Sequence, residues 1–340
     1  MTTATRSRTK APGWHPSVEE QLFGSIDPEA VLRRCGRTFY AASRVLPSRV
    51  RRDLAVLYAF CRAVDDCADQ PSTPHRAGGG REALLVEIQS ALEGQSSRSP
   101  IVSAFRELAE AKRVPLAHAY ELIEGVRSDT GRVRMATSVD LVQYAYRVAS
   151  TVGLMMCRIL EVDQEGDPFA IDLGIGMQLT NIARDVAEDA FNHRVYLPAE
   201  WVDHDALLRY LTTDTTDRSA VSDVEAAVER LLRLADAYYD SAELGMHFLP
   251  TRVRGGIRSA AWNYRTIGTV IRRDPHAALH SRVSTRAMGK VVRTGAALWA
   301  SVLESLPLGP ADMHDTTLHT ALAPLGVRPL AVSAPAGRTP

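Results

Sequence analysis

Residues 54–69 read Leu54-Ala55-Val56-Leu57-Tyr58-Ala59-Phe60-Cys61-Arg62-Ala63-Val64-Asp65-Asp66-Cys67-Ala68-Asp69. Apolar side chains fall at 54, 57, 58, 61 and 64, the step that gathers them on one face of a helix. The acidic residues keep the same step, so Asp65 and Asp69 lie one turn apart and project together. About 120 residues later the arrangement recurs. The apolar run Met177-Gln178-Leu179-Thr180 leads into Asn181, Asp185 and Asp189, which share a face over two turns. Carboxylates at this spacing repel one another unless a cation neutralises them. A hard ion such as Mg²⁺ takes one or two carboxylates and keeps positions for water and phosphate oxygens. Two such patches facing each other would hold a diphosphate. The competing reading is a solvated acidic face, but such a face has no need of apolar runs leading straight into it.

Outward from these stretches, apolar residues recur at helical spacing almost everywhere, as in Leu231, Leu234, Ala235, Tyr238 and Tyr239. Alternating β-branched runs bounded by turn signals are missing, so the chain is expected to be all-α. Helices are expected over 28–45, 49–69, 80–93, 99–112, 115–128, 138–160, 167–191, 199–210, 218–248, 251–272 and 284–304. Pro47, Pro115, Pro198 and Pro250 stand at breaks between them. No internal repeat suggests a solenoid, so the helices must bundle around one core. Segments 141–160 and 170–182 are apolar nearly all round, which places them at the centre. A central helix with carboxylates at its end suits a substrate with an anionic head and a long hydrocarbon tail. Residues 17–307 are read as a single domain, and 1–16 and 308–340, rich in Thr, Arg, Pro, Ala and Gly, as disordered tails.

Forty basic residues balance forty acidic ones, so no overall field attracts nucleic acid or an anionic membrane. Cys35, Cys61, Cys67 and Cys157 have no ligand-like spacing with histidine, and no signal peptide precedes them. Reduced thiols in a cytoplasmic protein are expected. No run of about 20 apolar residues is long enough to span a bilayer. His118, His193, His204 and His247 have no metal-like partner at i+4 and are read as surface or packing residues. Gly78-Gly79-Gly80 lacks the preceding strand a phosphate cradle needs. Arg62–Asp66 and Arg184–Glu188 would each contribute about 0.3–0.5 kcal/mol as plain i,i+4 pairs. Beside acidic patches, the same arginines can hold phosphate through paired N–H donors.

The segments 57–66 and 178–189 resemble the two aspartate-rich motifs of the phytoene and squalene synthase family. Ser43-Arg44-Val45-Leu46-Pro47 is similar to its N-terminal motif, and Tyr144 to Gly153 to its tyrosine-rich central motif. Arg194-Val195-Tyr196-Leu197-Pro198 follows the second acidic motif as in bacterial phytoene synthases. The likeness runs over roughly residues 30–290. Cys67 and Ala68 stand where larger aliphatic residues are usual, and Ser150 where glycine is common.

The resemblance implies an isoprenoid synthase helical bundle around a central hydrophobic cavity. It implies that Asp65, Asp69, Asn181, Asp185 and Asp189 ligate Mg²⁺, with Mn²⁺ as a substitute. Arg37, Tyr58, Arg62, Arg184 and Arg194 would hold or screen diphosphates, and Tyr144, Tyr264 and Arg265 would be pocket positions. The implied activity joins two geranylgeranyl diphosphates head to head through a cyclopropylcarbinyl diphosphate to phytoene, with no redox cofactor. The alternative uses farnesyl diphosphate and gives dehydrosqualene, presqualene diphosphate or squalene. A prenyl chain elongase fits the first motif less well, and a non-catalytic assembly or lipid-binding relative would not need intact carboxylates. Prenyl diphosphates are the expected partners. A monomer or weak dimer is expected, in peripheral contact with the inner membrane face because the product is apolar.

Overall fold

The computed structural model describes residues 27–36, 40, 43, 46–69, 80–95, 99–212, 218–275 and 314–327. Its helices are α1 (Pro28–Cys35), α2 (Ser48–Asp69), α3 (Arg81–Leu92), α4 (Pro100–Lys112) and α5 (Leu116–Ser128), then α6 (Ser138–Ala145), α7 (Thr151–Ile159) and α8 (Asp167–Phe191). They continue with α9 (His204–Thr212), α10 (Arg218–Leu244) and α11 (Thr251–Arg273). A 3₁₀ segment, Thr316–Leu325, closes the described chain.

The helix starts follow from local chemistry. Asp27 and Ser99 accept hydrogen bonds from the first-turn amides of α1 and α4, each with proline at the first helical position. Thr137 and Asp140 form a reciprocal capping box at α6. Arg113 ends α4 in the left-handed region, φ 54°.

The buried side chains form two clusters. One gathers Val31, Phe60, Phe105, Ile123 and Met155 from α1 to α5 and α7. The other gathers Leu141, Ile175, Leu179, Leu231 and Ile267 from α6 and α8 to α11. Helix α8 runs through the second cluster for about 37 Å, packed along α10 and α11. Close approach on its other side depends on a glycine: a Cβ at Gly174 would lie 2.6 Å from Ser150 Cα. Ser150, fully buried, donates to the Ile171 carbonyl at 2.7 Å.

Several expectations need correction. The helix expected over 138–160 is interrupted by a π-helical turn, Tyr146–Ser150, where α6 passes into α7; such bulges recur at functional sites. The expected 199–210 helix begins at His204, because residues 199 and 200 bond through their amides to the Met135 and Ala136 carbonyls instead. The all-α reading holds, with one small addition, a two-residue parallel pair of β1 (Val133–Arg134) with β2 (Arg194–Val195). The 308–340 segment is not wholly a disordered tail: residues 314–327 pack onto the bundle, with His319 and Leu322 buried. The expected tail 1–16 and helix 284–304 lie outside the described residues. Among the described residues, no helix is long and apolar enough to cross a membrane.

Candidate active site

Helix α2 ends in the first acidic cluster, and the C-terminal half of α8 carries the second. Asp65, Asn181, Asp185 and Asp189 line one cleft, together with Arg62, Arg184 and Arg194. Strand β2 turns back after α8, so the Arg194 guanidinium donates to the Ala68 carbonyl at 3.0 Å and ties the two acidic segments together. Asp69 is the last residue of α2.

Two of the cleft's arginines are already engaged with carboxylates. Arg62 is paired with Asp66 one turn on. Arg184 grips its neighbour Asp185 with both faces of the fork, Nε to Oδ1 at 3.0 Å and Nη2 to Oδ2, rather than Glu188 as plain helical spacing suggests. Burial draws the Arg62 pKa down, but Asp66 and Asp65 outweigh it and the guanidinium is held above its usual range. Arg184 behaves likewise beside Asp185. Asp189 goes the other way. Burial and the Asp185 charge push its carboxyl up to about 8, against the pull of Arg194.

The same cleft is lined by a hydrogen-bonded trio in which the expected Tyr144 is joined by Asp129 and Tyr196, which the expected site omitted. Tyr144 and Tyr196 stack at 4.8 Å and donate to the two oxygens of buried Asp129, each at 2.7 Å. Burial and Asp129 raise the Tyr144 hydroxyl well above its ordinary pKa. Asp129 carries no signal in sequence. It is a single acid in the turn after α5, brought there by the β1–β2 pairing.

Arg62, Asp65 and Asn181 face two ways: they line the acidic cleft and also the mouth of a cavity of about 320 Å³. Leu54, Leu57 and Tyr58 of α2, Met156 of α7 and Leu173 and Met177 of α8 form much of its wall. Burial pushes the Tyr58 hydroxyl above its usual range, partly offset by Arg62.

Of the two late pocket positions, Arg265 turns away from the site and Tyr264 stays beside it. Arg265 bonds Asp236 at 2.9 Å and Asp240 at 2.6 Å, and lines neither cleft nor cavity. Residues one turn apart on α10 present those carboxylates to α11, which takes the guanidinium away from the pocket. Tyr264 packs half-buried against the core, close enough to Arg184 and Tyr58 to affect their ionisation. Arg37 falls outside the described residues.

The donor set fits a hard divalent cation. Asn181 Oδ1 is buried with no hydrogen-bond partner, one turn from Asp185, and the crowded carboxylate of Asp189 wants positive charge. A separate group, Asp172, His314 and His319, also brings ligand-type atoms within 4.8 Å of one another. It lies about 20 Å along α8 from Asp185 and belongs to neither acidic motif.

The sequence model of the squalene/phytoene synthase family matches residues 32–289. A phytoene synthase of Cereibacter sphaeroides is 34% identical over 89% of this chain and 86% of its own length. The 15-cis-phytoene synthase of Pantoea ananas is 34% identical over 83% and 94%. Among solved structures, a dehydrosqualene synthase in complex with ligand superposes with a TM-score of 0.65 at 26% identity, covering 81% of this chain and 95% of that one. Squalene synthase HpnC from Alicyclobacillus acidocaldarius shares the fold, with a TM-score of 0.59 at 24% identity over 72% and 93%. With two acidic segments meeting at the mouth of an apolar cavity and a family match over most of its length, the chain belongs to the squalene/phytoene synthase family.

Proposed function

We propose that the protein joins two geranylgeranyl diphosphates head to head to give phytoene. One observation carries this reading: the same residues, Arg62, Asp65 and Asn181, border both the acidic cleft and the apolar cavity. A diphosphate in the cleft therefore has its hydrocarbon chain directed into apolar walls. Phytoene synthases being the relatives at 34% identity supports the choice of substrate.

Enzymes of this family depend on a divalent metal; here Mg²⁺, with Mn²⁺ as a substitute, would be held by Asp65, Asp69, Asn181, Asp185 and Asp189. Once bound it would neutralise charge developing on the leaving diphosphate. The chain's own contribution is positioning. Arg62, Arg184 and Arg194 offer N–H donors to diphosphate oxygens, which requires Arg184 to release one contact with Asp185. Arg37 and Tyr58 would flank the same head groups.

Loss of the first diphosphate leaves an allylic cation, and the double bond of the second substrate attacks it. Loss of a proton closes a cyclopropylcarbinyl diphosphate. Departure of the second diphosphate, rearrangement and loss of another proton complete the hydrocarbon. Two diphosphates and two protons leave in all, so no redox cofactor is needed. Tyr144 is poorly suited to take a proton, because its hydroxyl donates to Asp129 and resists ionisation. Its role is to hold Asp129 and Tyr196 beside Asp189, and released diphosphate is the better base. Leu57, Met156 and Met177 exclude water from the cation.

A second reading, dehydrosqualene from farnesyl diphosphate, is favoured by the solved dehydrosqualene synthase at 26% identity. Purified protein with Mg²⁺ and each diphosphate in turn, followed by identification of the hydrocarbon, decides between them. Phytoene from geranylgeranyl diphosphate is expected, and hydrocarbon from farnesyl diphosphate alone overturns the first reading. We further propose a cytoplasmic monomer or weak dimer that touches the inner membrane face to release its apolar product. Absence of any membrane-bound fraction at all salt concentrations would contradict that contact.

A further inference from the structure

The cavity reaches Phe169, sixteen residues and about 24 Å along α8 from Asp185. Over this length α8 turns one face to it, with Phe169, Leu173, Met177 and Asn181 at steps of four. At the far end Phe169 stacks on Phe248, ring centroids 5.7 Å apart, and both rings line the wall. Gly245 crowds Phe169 from α10's end, since a Cβ there would lie 2.1 Å from Phe169 Cβ. His314 meets the Phe169 ring edge-on, with centroids 5.3 Å apart and planes at 85°.

His314 is itself clamped. Its Nε2 lies 2.8 Å from Asp172 Oδ2, and His319 Nε2 lies 2.8 Å from Asp172 Oδ1. Ser241 of α10 donates to Oδ2 at 2.5 Å. Each imidazole addresses a different carboxylate oxygen at ordinary hydrogen-bond length, and the three donors satisfy a carboxylate that is fully buried. The rest of the 314–327 segment is fastened independently. Tyr238 donates to the Leu318 carbonyl and Gln143 to the Ala321 carbonyl, each at 2.9 Å, and Leu322 is fully buried.

We infer that His314, held by Asp172, is a positioning residue for the far wall of the cavity, so that its imidazole sets the longest prenyl chain the cavity admits. The inference rests on the proposed condensation. The physical reason is close packing: an aromatic wall yields only if the atoms behind it yield, and here those atoms are pinned to a buried carboxylate. Removing the imidazole opens space behind Phe169 into which its ring can turn under pressure from a longer chain. Replacing it with phenylalanine keeps a ring edge there and loses only the hydrogen bond.

The test measures binding of unreactive thiolodiphosphates bearing C15, C20 and C25 prenyl chains to the full chain with Mg²⁺. His314→Ala is expected to improve the affinity for C25 relative to C20 at least fivefold. His314→Phe is expected to leave that ratio within twofold of the unaltered protein, and so is Leu322→Ala, which loosens the same segment without touching Phe169. A purely structural role for His314 would lower stability in all three variants and leave the ratio alone. An unchanged ratio in His314→Ala, or an equal shift in Leu322→Ala, overturns the inference while leaving the condensation intact. Failure of the unaltered protein to bind any of the three analogues overturns both.

Discussion

Asp172 and Asp189 stand on one helix, about 25 Å apart, both largely withdrawn from water, and their carboxyls are driven in opposite directions. At Asp172 burial alone would raise the pKa, but hydrogen bonds from His314, His319 and Ser241 outweigh it and the group sits below its ordinary value. At Asp189 burial is reinforced by Asp185 and Asp129, Arg194 offsets only part, and the carboxyl rises to about 8. The first is surrounded by donors, the second by other acceptors. A buried carboxylate with its donors supplied by the protein is finished as structure. One that faces further carboxylates is completed by something the protein binds.

The contrast breaks most visibly in catalysis. Asp185→Ala is expected to cut hydrocarbon formation about 10³-fold, and Asp65→Ala to do the same, with the helical circular dichroism unchanged. Normal turnover in both variants would remove the acidic cleft from the chemistry. At the other end of α8 the loss should fall on stability. Asp172→Ala leaves three buried donors without an acceptor, which costs about 3 kcal/mol and should lower the melting temperature by about 6–12 °C. A shift under 2 °C would mean the cluster does not hold residues 314–327.

Acid and metal sharpen the comparison further. Because Asp189 binds its proton more tightly folded than unfolded, its contribution to stability falls as pH rises from about 4 to 8. The slope is at most about 1.4 kcal/mol per pH unit. Asp172, with the opposite shift, contributes stability at neutral pH that is lost on acidification below the ordinary carboxylate range. Mg²⁺ favours the ionised cleft and competes with its protons. It should raise the melting temperature little at pH 6, where Asp189 must first release its proton, and most strongly at pH 8.5, where the bare carboxylates repel. A Mg²⁺ effect of equal size at pH 6 and 8.5 would show that Asp189 is not part of the ion's site. The smallest effect is expected at Arg265, whose partners Asp236 and Asp240 are partly exposed. Arg265→Ala should cost less than about 1 kcal/mol and leave the KM for prenyl diphosphate within twofold.

Much of the bundle was legible from local rules. Apolar residues at helical spacing and prolines at the breaks act within a turn or two, so α2, α4, α5 and α8 lie within a residue or so of their expected limits. The acidic motifs were legible for the same reason, since i,i+4 spacing on a helix fixes a shared face without help from the rest of the chain. Contacts between distant segments were not. Nothing near Asp129 announces that Tyr144 and Tyr196 will close on it, because that meeting depends on β1 finding β2 across some sixty residues.

The sequence by itself determined an all-helical chain, its central helix and two carboxylate faces with the family they signal, because all of these rest on short-range periodicity. Tertiary structure alone decided that Arg265 turns to α10, that a π turn accommodates Ser150 against Gly174, and that His314 and His319, 142 and 147 residues beyond Asp172, settle on its carboxylate. Pairings of that range are chosen by which buried groups would otherwise go unsatisfied, and that sum is taken only once the whole bundle has packed.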